Sequence, residues 1–458
     1  MRRAENRPNV VIFFTDQQRW DSTGVHGCPL ELTPNFDRMA VEGTHCYHAF
    51  TCQPVCMPAR AALQTGRYPT QVGCPTNGGC LPPDVKTLGH WFREGGYHTG
   101  YIGKWHLYWA KQSSGPVPPE YRSGYDEWLA SNLLEFTSDA YDTVLFDHEG
   151  KPVKLPGYRV DAIADAGIRF IERNQHRPFF LMMSFLEPHH QNHRDEYAAP
   201  EGYRERYAGR WTPPDLASLE GSAAHQLGGY WGCIKRLDEA LGRVRDALRS
   251  LGLHHNTIVV FTSDHGCHFK TRNDEYKRSC HESSIRIPMA LCGPGFDGGG
   301  QRRELISLID LPPTLLEAAG LPVPTEMQGK SFWPCITRRG SFDQSEVFFQ
   351  ISEAVCGRGI RTHRWKYAVH APNVNAWVQP HAEVYEEQFL YDLLADPYEL
   401  QNLIEVPALE EVRAELRHRL IHRIREAEGV EVQIKPATSK PSGQLYDRMR
   451  RADALEYP

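Results

Sequence analysis

Five short apolar runs constrain what this chain can fold into. They are Val10–Phe14, Thr99–Ile102, Phe179–Phe185, Thr257–Thr262 and Ile287–Leu291. Each is too short for a core helix and apolar enough for a strand buried on both faces. Helical patterns separate them. The clearest runs from about Cys233 to Leu251, with Ile234, Leu237, Leu241, Val244 and Leu248 on one face and Gly252 as a stop. This alternation predicts an α/β architecture, a large central, mainly parallel mixed sheet flanked by helices. Polar residues sit just beyond four of the runs: Asp16; Lys104 and His106; His189; Asp264 and His265. In open α/β sheets ligands bind outside the carboxyl ends of strands, so these groups aim at one edge.

At 458 residues the chain exceeds one core of ordinary size. The composition changes near Pro334–Asp343, which predicts a large catalytic domain over 1–340 and a small C-terminal α+β domain over 341–458. Short β-like pieces, Glu346–Ile351 and Arg364–Val369, imply an antiparallel sheet there. A helix from about Pro407 to Ala427 carries Glu410 and Glu411 early and Arg423 and Arg425 late, in accord with its dipole. The polar stretch from Val430 reads as an extended tail that could reach a neighbouring subunit of a homo-oligomer.

The net charge of -6 leaves no broad basic field, which argues against nucleic acid as a partner. An anionic substrate must be held by a local cluster of cations. The 12 cysteines show no CxxC pair and no regular framework. The first apolar run is too short for a signal-peptide core, and no segment reads as a membrane span. These points predict a cytoplasmic protein with reduced thiols and no membrane partner.

The most specific signal is Cys56-Met57-Pro58-Ala59-Arg60 followed by Thr65-Gly66. Pro58 suits a first helical turn, which puts residue 56 at a positively polarised N-terminus. Arg60, four residues on, shares its face. The segment resembles the signature C-x-P-x-R-x-x-x-x-T-G of the type I sulfatases of the alkaline phosphatase superfamily. A chance match in a chain this long is about one in ten thousand. In that family the cysteine is oxidised to formylglycine by a formylglycine-generating or sulfatase-maturing enzyme.

The resemblance extends along nearly the whole chain. It implies metal ligands at Asp16, Gln17, Asp264, His265 and residue 56. Such a set suits one divalent metal, Ca2+ first, with Mn2+ or Mg2+ as alternatives. Many sulfatases carry Asp where Gln17 stands and Asn where His265 stands. Gly103-Lys104-Trp105-His106, Glu187-Pro188-His189 and Lys277, nine residues before Arg286, resemble the family's sulfate-binding and proton-transfer elements. The implied roles are charge stabilisation by Arg60, Lys104 and Lys277, leaving-group protonation by His189, alone or with Lys277, and release of the sulfo-enzyme by His106.

Polar density around Asn77, His190, His193, His268, Lys270 and Arg272 predicts a wet pocket mouth. That favours a sulfated saccharide over a lipid or steroid sulfate, with a small aryl sulfate ester as the simpler substrate. Two rivals stand beside this reading. One is a phosphonate monoester or phosphodiester hydrolase of the same superfamily, which the Gln17 and His265 departures also resemble. The other is a metal-binding pseudo-enzyme whose Cys56 is never converted.

Overall fold

The computed structural model describes residues 7–109, 114–438 and 441–445. Its larger sheet has eleven strands: β1 (Asn9–Asp16), β2 (Thr44–Phe50), β3 (His98–Lys104), β4 (Glu127–Ser131), β5 (Thr143–Phe146), β6 (Pro152–Leu155), β7 (Phe179–Pro188), β8 (Thr257–Ser263), β9 (Arg286–Ile287), β10 (Met289–Cys292) and β11 (Gly300–Ser307). The order is β11-β2-β10-β8-β1-β7-β3-β4-β5-β6, with β9 against β2. The neighbours β8, β1, β7, β3 and β4 are parallel, while β10, β5 and β6 join antiparallel.

Burial on both faces explains the unbroken apolar strands. Val10, Ile12 and Phe14 pack with Met57 and Leu63 on one side. Val11 and Phe13 pack with Phe36, Leu237 and Leu241 on the other. The predicted run Ile287–Leu291 is two strands, not one. Pro288 has no N–H to give a ladder, and the chain passes from β9 to β10 there. The predicted helix from Cys233 begins ten residues earlier, spanning Ala223–Ser250. Its first three turns were obscured by Gly228, Gly229 and Gly232, which read as breakers. They are needed where that helix meets the 197–208 segment: a Cβ on Gly229 would sit 2.4 Å from Tyr197 O.

A second sheet of five strands follows: β12 (Glu346–Ile351), β13 (Gly357–Thr362), β14 (Trp365–His370), β15 (Val384–Asp392) and β16 (Gln433–Lys435). The first four pair antiparallel and β16 joins β15 parallel. The helix Glu410–Glu428 packs Leu416, Leu420 and Ile424 against this sheet. The stretch after Val430 therefore begins as an edge strand of its own sheet. Residues 446–458 of the expected tail lie outside the described residues.

Buried charge joins the two sheets. Lys366 Nζ lies 2.9 Å from Glu282 Oε1 and 2.5 Å from Glu399 Oε1. All twelve cysteines are unpaired. Among the described residues no helix is long and apolar enough to cross a membrane.

Candidate active site and metal centre

The parallel core brings the carboxyl ends of β1, β3, β7 and β8 to one edge of the sheet. Asp16 and Lys104 end β1 and β3, and His189 and Asp264 follow β7 and β8. Gly103 makes the turn at β3 possible. Its φ is +110°, and a Cβ there would lie 1.9 Å from Ser184 O of the neighbouring strand.

Above this edge stands the helix Cys56–Thr65, with Cys56 as its first residue. The Met57 N–H donates to Asn77 Oδ1 at 3.1 Å, so Asn77 caps the first turn. Gly66, at φ +65°, ends the helix against Met327. Arg60 reaches inward from the second turn. Its guanidinium donates to Asp16 Oδ2 at 2.8 Å, Asp264 Oδ2 at 3.4 Å, Ser184 Oγ at 2.8 Å and Lys104 O at 3.1 Å.

Asp16, Cys56, Asp264 and His265 each offer a ligand atom, and these atoms all lie within 4.8 Å of one another. The His265 Nδ1–H donates to Gly266 O at 3.0 Å, which leaves the Nε2 lone pair facing the cluster. Nε2 lies 3.3 Å from Cys56 Sγ and 3.5 Å from Asp264 Oδ1. Gln17, at φ +68°, gives its backbone N–H to Asp264 Oδ1 at 2.9 Å. Its side-chain amide donates to Tyr197 Oη and Cys267 Sγ, and its Oε1 is buried with no partner. Two carboxylates and an imidazole lone pair, with the unpartnered Oε1 of a residue whose backbone bonds Asp264, fit a divalent cation.

Three cations complete the centre. Lys104 Nζ bridges Asp16 Oδ2 at 2.9 Å and Glu135 Oε1 at 3.0 Å. Lys277 Nζ lies 2.8 Å from Cys56 Sγ and 3.3 Å from His189 Nε2. Every one of these side chains is buried.

Such crowding separates the ionisations. Burial alone would raise the Asp16 carboxyl, but Lys104, His189, Arg60 and Lys277 hold it well below its usual range. Burial, with Asp16 adjacent, pushes Asp264 up to about 7. Burial and the same Asp16 push the Cys56 thiol up to about 12, so it is a poor nucleophile as a thiol. His106, His189 and His265 are held neutral at pH 7, first by burial and then by Lys104 or Lys277.

Comparison with known proteins agrees with this geometry. Residues 8–321 match the family model described as Sulfatase. The chain belongs to the sulfatase family. Residues 274–426 also match the model for the C-terminal part of N-sulphoglucosamine sulphohydrolase. The sulfatase is 30% identical over 440 residues to an ulvan-active sulfatase of Formosa agariphila, covering 92% of this chain and 81% of that one. It is 24% identical over 483 residues to an N-acetylglucosamine-6-O-sulfatase of Bacteroides thetaiotaomicron, covering 87% and 82%. Among solved structures, one in complex with its substrate D-glucosamine-2-N,6-O-disulfate superimposes with TM-score 0.75 at 22% identity, covering 92% and 98%. A phosphonate monoester hydrolase of Agrobacterium radiobacter gives TM-score 0.72 at 23% identity, covering 92% and 96%. At those identities the two structures show the fold alone. The chain is thus an enzyme, a hydrolase of sulfate esters.

Not every residue expected at the pocket mouth of this sulfatase is there. His190 stacks on His189 at 4.4 Å and on Tyr276 at 4.3 Å. Lys270 pairs with Asp195 at 2.9 Å over the same Tyr276 ring. Two residues are interior. The fully buried His268 bonds Lys277 O at 2.9 Å and so holds the backbone of that lysine. Arg272 donates to the backbone oxygens of Glu399, Gly443 and Tyr398, which ties the two sheets' loops together. Polar density marked both as mouth residues, yet equal density arises where buried carbonyls need donors. His193 is half exposed and pairs with Asp139 on the surface.

Sequence reasoning missed Glu135, Ser184, Tyr197 and Cys267, which hold Lys104, Arg60 and Gln17. Ser184 carried a signal: it is a lone hydroxyl inside the apolar strand β7. Glu135, in the one-turn helix Leu134–Thr137, carried none.

Proposed function

We propose that this sulfatase removes sulfate from a sulfated carbohydrate, with formylglycine made from Cys56 as nucleophile and one divalent metal at Asp16, Gln17, Asp264, His265 and residue 56. The observation that carries this reading is the pairing of Arg60, Lys104 and Lys277 around residue 56 with two carboxylates and the unpartnered Gln17 Oε1. The names of the ulvan-active sulfatase and the N-acetylglucosamine-6-O-sulfatase support a sugar as the group that bears the sulfate.

The thiol sulfur marks where the oxygens of the converted residue stand. Conversion supplies a hydrated aldehyde as nucleophile, and the metal, when bound, supplies Lewis-acid charge at residue 56 and the sulfuryl oxygens. Lys104 and Arg60 are each locked by carboxylates, so their charges need no reorganisation when charge develops on the sulfuryl group. Asp264 stands within hydrogen-bond reach of the Arg60 side chain and the Gln17 backbone.

The proton for the leaving alcohol comes from Lys277 in this geometry. The His189 Nδ1–H donates to His190 O at 2.7 Å, so Nε2 accepts from Lys277 Nζ. His189 therefore orients Lys277 by accepting from its ammonium. His106, at φ +54°, keeps a buried Nδ1 without a partner among the described residues, in accord with a base that waits for a substrate-derived proton.

The test is the ratio of catalytic efficiencies on an aryl sulfate and the matching aryl phosphonate ester, with Cys56 first proved converted by mass spectrometry. A clear preference for the sulfate supports this reading. A preference for the phosphonate ester would make Gln17 and His265 the better guide and overturn it.

A further inference from the structure

Four large aromatic side chains are exposed among the described residues, and one of them, Trp377, is linked by contacts to residues of the catalytic centre. Trp377 is 50% exposed, on the turn between β14 and β15. It is far from Cys56 in sequence, yet a short chain of contacts joins them. Lys277, which touches Cys56 Sγ, is followed by Arg278, and the Arg278 guanidinium lies 5.7 Å from the centre of the Trp377 ring. Arg278 pairs with the buried carboxylate of Glu353 at 2.5 Å. The other Glu353 oxygen accepts the backbone N–H of Asn77 at 2.6 Å, and Asn77 caps the Cys56 helix. The Glu353 backbone in turn bonds Ala376 O, next to Trp377. The loop between β14 and β15 thus carries an indole tied through Arg278 and Glu353 to residues next to Lys277 and at the cap of the Cys56 helix.

We propose that Trp377 is a saccharide-stacking residue that sets the substrate preference of this sulfatase, with Arg278 and Glu353 holding its loop in place. The inference rests on the sulfatase reading and deepens it. A sugar ring has an apolar C–H face and a polar edge. The face packs on the electron-rich indole, and the edge meets the surrounding polar groups. An apolar sulfate ester would instead call for an enclosed apolar wall, whereas this ring lies against the Arg278 guanidinium, which pairs with Glu353.

The test compares converted wild type with Trp377→Ala and Trp377→Phe. Substrates are 4-nitrophenyl sulfate and a panel of sulfated oligosaccharides from ulvan, heparin, chondroitin sulfate and carrageenan. For the oligosaccharide the wild type desulfates best, the ratio of its kcat/KM to that of the aryl sulfate should fall about tenfold in Trp377→Ala through KM. Trp377→Phe should recover most of the loss, since it restores an aromatic face. Titration of the same oligosaccharide into Cys56→Ala protein, with and without Trp377→Ala, should weaken binding by the same factor. A ratio within twofold of wild type, or an equal loss on both substrates with a lowered Tm, would overturn the inference as a structural role only. So would a wild type that hydrolyses the aryl sulfate and no member of the panel. Hydrolysis of neither class by converted protein would instead overturn the underlying sulfatase reading.

Discussion

Lys277 Nζ lies 2.8 Å from Cys56 Sγ, closer than His265 Nε2 at 3.3 Å or Asp16 Oδ1 at 3.6 Å. Burial opposes its charge, and Cys56, Asp16 and Asp264 more than restore it, so the lysine remains an ammonium. In the proposed mechanism it is at once a proton donor to the leaving oxygen and a counter-charge to the sulfuryl group. Lys277→Ala should therefore lower kcat on an aryl sulfate by about 100-fold or more. The loss should shrink with leaving groups of low pKa, which need no proton. An equal loss across a leaving-group series would leave Lys277 only the electrostatic role.

Cys56→Ala should abolish turnover and leave folding intact, because the side chain is small and its neighbours are polar. Conversion itself has a direct readout. The tryptic peptide Met39–Arg60 holds Cys46, Cys52 and Cys56. Alkylation should label two sulfurs in converted protein and three in unconverted protein. Full turnover by fully three-labelled protein would sink the mechanism.

Treatment with a chelator should abolish activity and lower Tm, since four buried ligand groups would face one another without a cation. Ca2+, Mg2+ and Mn2+ added singly should rank the site's preference. Gln17→Ala should weaken metal binding by about tenfold, because the amide oxygen left without a partner is removed. Unchanged affinity in a calorimetric titration would exclude Gln17 from the ligand set.

Arg272→Ala should destabilise the fold by about 3 kcal/mol, since it strips buried donors from three backbone oxygens. Denaturant unfolding measures this directly. KM for any substrate should stay within twofold in the folded fraction. A selective rise in KM would return Arg272 to the pocket mouth.

Burial, with Arg286 nearby, lowers His45 to about 4, and burial lowers His268 to about 3. A histidine whose folded pKa is depressed stabilises the fold above its unfolded value near 6.5, and that stability is lost as pH falls toward the folded pKa. Tm should therefore fall between pH 7 and pH 5. In His45→Phe the fall should be smaller by about 3 °C. An unchanged slope would show that His45 is already charged in the folded protein.

The reading of fold and centre from sequence succeeded where a residue's role is set by its own neighbours. Cys56 and Arg60 are four residues apart on one helix, so spacing alone placed them on one face. Asp16 and Asp264 end parallel strands, and the apolar runs before them announced those ends. Weakly apolar edge strands such as β5 and β6 went unread, because pairing rather than pattern stabilises them. His268 and Arg272 were misplaced because a sequence shows that polar groups exist but not which carbonyls face them.

The amino-acid order by itself determined the layered α/β architecture and the shared helix face of Cys56 and Arg60. Those follow from periodicity and spacing, which act over a few residues. Only the tertiary structure decided that Lys277 reaches both Cys56 Sγ and His189 Nε2. It likewise left the Gln17 Oε1 without a partner among the described residues, and brought Trp377 against Arg278, the residue after Lys277. Each of these depends on groups far apart in the chain meeting where water is excluded, and only there does a single unpaired lone pair or proton decide the chemistry.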